Sequence, residues 1–466
     1  MANCSASRRR FLTTLGWGAG ALALRGLART TEAADKKPNF VIILADDMGY
    51  GDSSVYDGWI NTPHMERLAA EGLKFTDFHS SGVVCSPTRA GLMTGRYQQR
   101  AGVPGVINAD PKVAAHHTGL QTTEVVFPKL LKQAGYTCGI FGKWHLGYEK
   151  KYNPLYHGFD VFRGFVSGNI DYASHYDRMG MYDWWDGLEH AKEDGYSTHL
   201  ITRHAVEFIE RNQRRPFCCY VPHEAVHTPL QGPKDPPVRG PNKAKGRKVD
   251  AKRAYREMMG AMDDSIGAIV AALRRLGLAD NTLVVFFSDN GGTRYGSNAP
   301  LRGGKGTVWE GGHREPAIGW WPGRIKPGTV TDQLCISLDV MPTLLELAGV
   351  PVPAGHTLDG VSLAPLLLEG KPLGKRQLFW NGRAMRDGQW KLVLGGRGGD
   401  GVGLYDLSKD IGEKTNLAAQ HPERVVAMRA AVAAWDKDVA AGATRQPPPP
   451  PGAVERPKRR QAKKAR

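Results

Sequence analysis

The stretch that decides the fold is NFVIILADD, residues 39–47. After Asn39 it is a continuous apolar run, which is typical of a strand buried on both faces of a parallel sheet. The run stops at two acids, Asp46 and Asp47. The pattern therefore predicts a central strand that carries two carboxylates at its carboxyl end.

Three later segments repeat this plan, with apolar runs that each end in polar residues. The runs are residues 137–141, 217–221 and 282–287. Helical patterns lie between the predicted strands, at about residues 65–71, 125–134 and 254–276. Alternating strands and helices favour a doubly wound α/β domain, in which ligands bind at the carboxyl ends of the strands.

The pattern changes near the Gly/Pro-rich residues 349–360, which we interpret as a domain boundary. A catalytic domain is predicted over residues 38–348, followed by a small α+β domain over residues 355–440 with a short antiparallel sheet and one helix. Its strand candidates are residues 378–380, 390–394 and 403–405, and its helix is residues 422–439. Residues 444–466 include five consecutive prolines and many basic residues, so a disordered tail is expected there.

The composition is that of a globular protein, with 41% hydrophobic and 23% charged residues. The net charge of +16 lies mostly at the two ends of the chain. Such a distribution argues weakly for nucleic-acid binding, and no nucleic-acid partner is expected. A second interpretation gives the basic tail a role in binding anionic polymers.

Residues 1–34 are interpreted as an export signal. The motif SRRRFL at residues 7–12 resembles a twin-arginine signal, and the apolar stretch 11–24 is too short to span a bilayer. The alternative is a disordered basic tail. We expect an exported protein, periplasmic or secreted, without a transmembrane segment.

Six cysteines are present. Cys138, Cys218, Cys219 and Cys335 lie in apolar runs and are expected to be packing residues, not a disulfide framework. No Cys-x-x-Cys pair occurs, which disfavours a structural zinc site of that kind.

Asp46, Asp47, Asp289 and Asn290 form the first candidate site. They lie at two predicted strand ends and offer hard oxygen ligands, which favour Ca²⁺ or Mg²⁺ over zinc. The alternative is that both pairs are only turn residues.

Two cations and two histidines form the second candidate group. Lys143 and His145 alternate, so on extended chain their side chains point the same way. His227 lies in a loop after a predicted strand, and Lys305 is flanked by glycines that let backbone approach a ligand. A lone His or Lys in a loop is more often simply solvated, so these four residues form a site only if the fold brings their side chains together.

The run CSPTRAGLMTGR, residues 85–96, is the most specific motif. It resembles the signature of sulfatases, in which the cysteine is oxidised to formylglycine. Further landmarks of that family occur in order from about residue 38 to residue 439. They are DDMGYGD (46–52), GKWHLG (142–147), HTP (227–229), SDNGG (288–292), GKG (304–306), EGG (310–312), LDVMPT (338–343) and LYDL (404–407). The chain is thus similar to the type I, formylglycine-dependent sulfatases of the arylsulfatase branch.

The resemblance implies an alkaline-phosphatase-like fold and a set of site roles. Asp46, Asp47, Asp289 and Asn290 would hold Ca²⁺, with an oxygen of the modified Cys85 as a further ligand. Arg89 would steady that residue, and the sulfate would be surrounded by Lys143, His145, His227 and Lys305.

The implied mechanism hydrolyses sulfate monoesters in two halves. One hydroxyl of the hydrated aldehyde at position 85 attacks sulfur and forms a covalent sulfoenzyme, while His227 with Lys305 assists the leaving oxygen. His145 then deprotonates the other hydroxyl, and the aldehyde re-forms as sulfate leaves. A formylglycine-generating enzyme is required during maturation.

Several alternatives stay open at this point. His223 competes with His227 for the leaving-group role. A formylglycine-dependent phosphonate or phosphate monoester hydrolase would share most of these residues, and an unmodified, inactive binder of sulfated glycans is a further alternative. A two-zinc phosphatase is disfavoured because its extra Asp/His ligands are not found.

The substrate is expected to be an aryl or carbohydrate sulfate, with a sulfated polysaccharide or glycosaminoglycan fragment as the specific hypothesis. The aromatic-rich residues 164–185 either line a sugar or aryl subsite or serve packing.

Overall fold

The computed structural model of this chain describes residues 37–243, 249–395 and 401–455. The predicted export signal, residues 1–34, lies outside the described residues, as do residues 456–466 of the predicted tail. Within the described ranges, no helix combines the length and apolar character needed to cross a membrane.

A large mixed sheet of eleven strands forms the centre of the molecule. Its strands are β1 (Asn39–Ala45), β2 (Leu73–His79), β3 (Thr137–Lys143), β4 (Val161–Phe165), β5 (Trp185–Asp186), β6 (Glu189–His190), β7 (Phe217–Pro222), β8 (Thr282–Ser288), β9 (Arg314–Trp320), β10 (Thr329–Thr331) and β11 (Cys335–Ile336). The order is β10-β2-β9-β8-β1-β7-β3-β4-β5-β6, and β11 also pairs with β2. The four predicted strands are the parallel neighbours β8-β1-β7-β3 at the centre, so the predicted α/β class is confirmed.

The alternating side chains of β1 explain its central position. Phe40, Ile42 and Leu44 face one hydrophobic core, whereas Val41 and Ile43 face the other. All seven residues of β1 are buried, because helices cover both faces of the sheet. A continuous apolar run is therefore what this position requires.

Eight α-helices occur in the described residues. They are α1 (Pro63–Ala70), α2 (Cys85–Thr94), α3 (Phe127–Gln133), α4 (Ser197–Arg211), α5 (Ala251–Arg275), α6 (Val340–Ala348), α7 (Ala364–Glu369) and α8 (Pro422–Ala441). One face of the sheet packs against α2, α3, α6 and α7, and the other packs against α1, α4 and α5. The long helix α5 begins after Asp250, whose carboxylate accepts a hydrogen bond from the backbone N–H of Arg253 at 2.7 Å.

A second, four-stranded antiparallel sheet follows the large one in the chain. Its strands are β12 (Gln377–Trp380), β13 (Ala384–Asp387), β14 (Trp390–Val393) and β15 (Gly403–Asp406), and α8 packs on it. Three of these strands correspond to the predicted ones, whereas β13 was not predicted. Leu363, Leu366 and Leu367, which follow the predicted domain boundary in the chain, belong to the core of the large sheet.

A buried cluster of charged and histidine residues, here called the junction network, joins the two sheets. It consists of Asp77, His79, Glu310, His313, Arg314, Arg386, Lys391 and Glu413. Hydrogen bonds run from Lys391 Nζ to His313 Nε2 (2.9 Å), between His313 Nδ1 and His79 Nδ1 (3.0 Å), and between His79 Nε2 and Asp77 Oδ1 (2.8 Å). Since Lys391 can only donate, this chain fits two neutral histidines that each pass on one hydrogen bond.

Residues 444–455, here called the C-terminal strap, form the described part of the predicted tail and contact residues 100–121. The Gln446 side chain donates to the carbonyls of Gly102 and Gly119, both at 2.8 Å. Val454 donates its backbone N–H to Lys112 O at 2.8 Å and accepts one from Ala114 at 3.0 Å. Thr444, Gln446 and Val454 of the strap thus find hydrogen-bond partners in residues 100–121, although the composition of the strap resembles that of a linker.

Candidate active site

The metal-ligand candidates meet where β1 and β8 end side by side. Ala45 and Ser288 are partners in the parallel pairing, so Asp46 and Asp289 are the next residues on neighbouring strands. The backbone N–H of Asp289 donates to Ala45 O at 3.0 Å. Asp47 has a φ of 63°, a left-handed conformation that is uncommon outside glycine and turns this residue towards the same edge.

Two oxygen atoms of this group are buried and lack a hydrogen-bond partner among the described residues. They are Asp46 Oδ1 and Asn290 Oδ1. Burial raises the pKa of Asp289, and the neighbouring charge of Asp46 raises it further. Buried carboxylates with like charge and free oxygens are unfavourable alone, but they suit a divalent cation that prefers hard oxygen ligands.

Three cations hold the same carboxylates. Arg89 donates to Asp289 Oδ2 from Nε at 3.0 Å and from Nη2 at 2.8 Å, and its Nη1 donates to Lys143 O at 2.9 Å. Lys143 Nζ pairs with Asp46 Oδ2, and Lys305 Nζ pairs with Asp47 Oδ1. Arg89 is a charge fixed on three sides, whereas each lysine keeps donor capacity for an anion.

Cys85 is the first residue of α2, and all ten residues of this helix are buried. Burial raises the pKa of the Cys85 thiol, which the positive charges of Lys143 and Lys305 only partly oppose. An unmodified Cys85 would therefore stay protonated and would be a poor nucleophile. The position at a helix N-terminus, close to two lysines, nevertheless favours an anion beside it.

His145 is oriented as a free base. Its Nε2 lies 3.1 Å from Ile107 O, and since a carbonyl only accepts, the proton of a neutral ring sits on Nε2. Nδ1 is then unprotonated, and it is buried with no partner among the residues described. Burial, with Lys143 nearby, holds the pKa of His145 well below its usual range.

His227 reaches the site and His223 does not. His227 Nε2 lies 3.7 Å from Asp47 Oδ2, and its Nδ1 lies 2.7 Å from Thr228 O. His223 Nε2 instead lies 3.0 Å from the hydroxyl of Ser265, in α5. Burial lowers the pKa of His227 strongly, and the charge of Lys305 adds to the effect.

The structure thus brings together all ten residues singled out in the sequence as catalytic or metal-binding. It also shows a residue that sequence reasoning did not single out for this purpose. The hydroxyl of Tyr172 donates to the backbone carbonyls of Glu224 and His227, both at 2.9 Å, and so holds the loop that carries His227. The aromatic-rich segment 164–185 serves packing at this point, where Tyr172 and Trp184 are fully buried. A buried tyrosine hydroxyl needs a partner, which is the only signal that the sequence offered.

The arrangement can bind and cleave an anionic ester. Oxygen atoms suited to a divalent cation, fixed positive charges and two neutral histidines surround one buried position on a helix N-terminus. A doubly wound α/β domain with this site and a small antiparallel sheet defines an alkaline-phosphatase-like hydrolase.

Within that class, residues 38–350 match the Sulfatase family, and the chain belongs to it. Residues 304–433 match a second family, described as N-sulphoglucosamine sulphohydrolase, C-terminal. The predicted resemblance to sulfatases is therefore confirmed, and the protein is an enzyme that hydrolyses sulfuric esters.

Known proteins resemble the chain over most of its length. The N-acetylgalactosamine-6-sulfatase of Mus musculus is 36% identical over 400 residues, which are 80% of this chain and 75% of the mouse protein. Arylsulfatase A of Homo sapiens is 33% identical and covers 85% of this chain and 87% of its own length. The crystal structure of Ps i-CgsB in complex with k-i-k-neocarrahexaose matches with a TM-score of 0.78 and 29% identity, over 86% of this chain and 93% of that one.

Proposed function

We propose that this sulfatase hydrolyses sulfate monoesters of carbohydrates, with formylglycine at position 85 and a Ca²⁺ ion beside it. The observation that carries the proposal is the pair of buried oxygens, Asp46 Oδ1 and Asn290 Oδ1, that have no partner among the described residues although three cations lie nearby. Buried polar atoms normally have hydrogen-bond partners, so unpaired oxygens beside three cations indicate that a ligand binds here.

Four residues would hold the ion, with an oxygen of residue 85 as a further ligand. They are Asp46, Asp47, Asp289 and Asn290, whose oxygen atoms suit Ca²⁺ and would also accept Mg²⁺. When bound, the ion would supply positive charge that lowers the pKa of a nearby hydroxyl and stabilises charge on the ester.

Residue 85 would act as a hydrated aldehyde, because its thiol stays protonated. A formylglycine-generating enzyme would oxidise Cys85, and the hydrate would carry two hydroxyls on one carbon. One hydroxyl would give up its proton as its oxygen attacks sulfur and the S–O bond to the alcohol breaks, and this loss would balance the proton that the leaving alcohol gains, giving a covalent sulfoenzyme. The second hydroxyl would then lose its proton, the C=O bond would re-form, and the C–O bond to sulfate would break.

The two histidines divide the proton transfers. His145 Nδ1, the unprotonated nitrogen, would take the proton from the second hydroxyl. His227, beside Asp47 and Lys305, would transfer a proton to the leaving oxygen. A bound anionic ester raises the proton affinity of His227, because its charge offsets that of Lys305.

A carbohydrate sulfate is the proposed substrate. One relative is named for sulfate on N-acetylgalactosamine, and one similar solved structure holds a neocarrahexaose. Lys143 and Lys305 would bind the sulfate group itself, whichever alcohol it esterifies, while Arg89 would steady residue 85.

Export through a twin-arginine signal remains part of the proposal. Replacing Arg8, Arg9 and Arg10 by lysine should retain the protein in the cytoplasmic fraction. Unchanged fractionation would contradict the assignment.

The central test is peptide mass spectrometry of residue 85 combined with turnover of 4-nitrophenyl sulfate and 4-nitrophenyl phosphate. We expect an aldehyde at position 85, faster turnover of the sulfate, and background rates for Cys85→Ala. Loss of turnover after exhaustive Ca²⁺ chelation is also expected.

Three results would overturn parts of the proposal. Faster phosphate turnover would favour the phosphate or phosphonate monoester hydrolase. A residual thiol in inactive protein that still binds sulfated glycans would favour the binder. Substantial activity of Cys85→Ala would remove residue 85 from the mechanism.

A further inference from the structure

The tight turn between β12 and β13 presents an arginine in a defined position. Arg383 donates its backbone N–H to Trp380 O at 2.9 Å, and both intervening residues are left-handed, with φ of 54° at Asn381 and 63° at Gly382. These are the features of a type I′ turn, the two-residue connection that best matches the twist of a β-hairpin. The hairpin therefore fixes the backbone from which the Arg383 side chain extends.

The side chain of Arg383 is exposed and makes no hydrogen bond or ion pair with the part of the chain that the structure describes. The other arginines near it are engaged. Arg386 pairs with Asp77, Arg376 pairs with Asp339, and Arg302 lies over the ring of Trp309. Arg383 has no such partner within the described residues, so its side chain stays free to move and its charge can pair with a ligand.

Arg383 lines a cavity beside the active site. The cavity has a volume of about 260 Å³ and is lined by Gly306, Val308, Asn381 and Arg383. Gly306 follows Lys305 directly, and its backbone N–H donates to Val83 O at 2.8 Å, two residues before Cys85. One lining residue of the cavity is therefore bonded to the segment that leads into Cys85 and follows Lys305 in the chain.

The chemistry of the cavity suits an anion. A guanidinium offers a planar fork of donors that matches a sulfate or a carboxylate in two parallel hydrogen bonds. The Asn381 side chain can add an amide donor, whereas the carboxylate of Asp436 lies beside Gly382 of the same turn and forms no ion pair with Arg383 in the described structure. The volume is below that of pockets for drug-sized ligands, about 300–1,000 Å³, so it suits one charged substituent or one sugar unit.

We propose that Arg383 binds a second anionic group, a sulfate or a carboxylate, on a substrate whose other sulfate lies at residue 85. The enzyme would then prefer oligosaccharides with several anionic groups over singly charged esters. This inference rests on the proposed function and adds to it the class of substrate and a residue that selects it.

The test compares Arg383→Ala with wild type on three probes. They are 4-nitrophenyl sulfate, a sulfated disaccharide with a second sulfate on the neighbouring sugar, and the matching disaccharide with a uronate carboxylate there. We expect Arg383→Ala to raise KM about 10- to 100-fold for the two doubly charged probes, which is the size of a lost charged hydrogen-bond pair. The kcat should stay unchanged because the second group is bound equally in the ground and transition states.

Two control variants separate the subsite from a general loss of charge or structure. Arg383→Lys should restore part of the affinity, since it keeps the charge but not the fork. Arg429→Ala removes an exposed arginine of α8 and should change none of the three KM values. The melting temperature of Arg383→Ala should equal that of wild type, because the side chain has no partner within the described residues.

The outcomes distinguish this inference from the proposed function. If wild type cleaves all three probes and Arg383→Ala leaves their KM values unchanged, or raises all three alike, the subsite is wrong and the sulfatase proposal stands. If only the disulfated or only the uronate probe responds, Arg383 is a subsite for that anion alone. If wild type cleaves no carbohydrate sulfate, the proposed function fails first.

Discussion

Two buried clusters in this protein contain the same kinds of charged groups but differ in how these groups are paired. The active-site cluster holds three acids, Asp46, Asp47 and Asp289, with Arg89, Lys143 and Lys305. The junction network also holds three acids and three cations, together with two histidines. Each cluster even contains three groups whose ligand atoms lie within 4.8 Å of one another, as in a metal site.

The clusters differ in how completely their polar atoms are paired. In the junction network, five of the six carboxylate oxygens of Asp77, Glu310 and Glu413 accept a hydrogen bond, and the sixth, Glu413 Oε1, lies 3.4 Å from Lys391 Nζ without accepting one. In the active site, Asp46 Oδ1 and Asn290 Oδ1 accept none from the described residues. A cluster whose carboxylates are paired with cations stabilises the fold, whereas a cluster at a strand end that leaves oxygen atoms unpaired can bind a ligand.

The largest effect, on catalysis, is expected from removing one carboxylate charge from the active-site cluster. Asp46→Asn should lower kcat/KM about 1,000-fold or more, because a bound cation would lose an anionic ligand and the ester would lose electrostatic stabilisation. Kinetics with 4-nitrophenyl sulfate would measure this, and circular dichroism should show an intact fold. Turnover within a factor of ten of wild type would break the assignment of this cluster to catalysis.

The next largest effect, on the free energy of unfolding, should come from removing one cation from the junction network. Lys391→Met removes the cation between Glu310, Glu413 and His313, which leaves buried charge unpaired and should cost about 3–5 kcal/mol in the free energy of unfolding. Urea denaturation measures the loss, and Lys409→Met, at an exposed lysine, is the matched control with an expected cost below about 0.5 kcal/mol. Equal stabilities of the two variants would contradict the structural role.

A third prediction separates the clusters by ligand. Ca²⁺ should raise the free energy of unfolding by about 2.7 kcal/mol at 100 times its Kd, since only the folded chain assembles the site. Asp46→Asn should lose most of this gain, whereas His79→Gln should keep it. A gain that depended on His79 would move the ion to the junction network.

The smallest effect concerns pH. Burial lowers the pKa of both His79 and His313, so the folded protein keeps them neutral while the unfolded chain binds protons below about pH 6.5. This contribution to stability is therefore present above pH 6.5 and is lost as the pH falls. The cost of His79→Gln in the free energy of unfolding should accordingly be smaller at pH 5.5 than at pH 7.5. A pH-independent cost would show that His79 does not titrate between the two states.

The sequence predicted the centre of the fold better than its edges. β1 has the predicted bounds, residues 39–45, because a strand buried on both faces must be apolar throughout. β2 and β9 were not predicted, since polar residues such as Asp77 and Glu315 interrupt their pattern. These residues are buried only because distant partners reach them, and Asp77 and Arg386 are separated by 309 positions.

The site divides in the same way. The rule that ligands gather at the carboxyl ends of parallel strands placed Asp46 near Asp289 from pattern alone. Cys85 and Arg89 lie on a helix, so no strand pattern could place them, and the resemblance to sulfatases supplied their position. The cavity at Arg383 depends on a turn in the second sheet, which local sequence did not connect with the first.

The C-terminal strap has a consequence for the order in which the molecule is completed. The strap is bonded to residues 112–114, and a few positions earlier Ile107 donates its backbone N–H to the hydroxyl of Ser86 and accepts from His145. Residues 444–455 are synthesised after residues 85–114, so their hydrogen bonds to residues 112–114 can form only after the rest of this region has been made. Because Cys85 is buried in the folded protein, we expect a modifying enzyme to reach it before folding is complete. Modification of this residue and folding of the chain around it therefore compete in time.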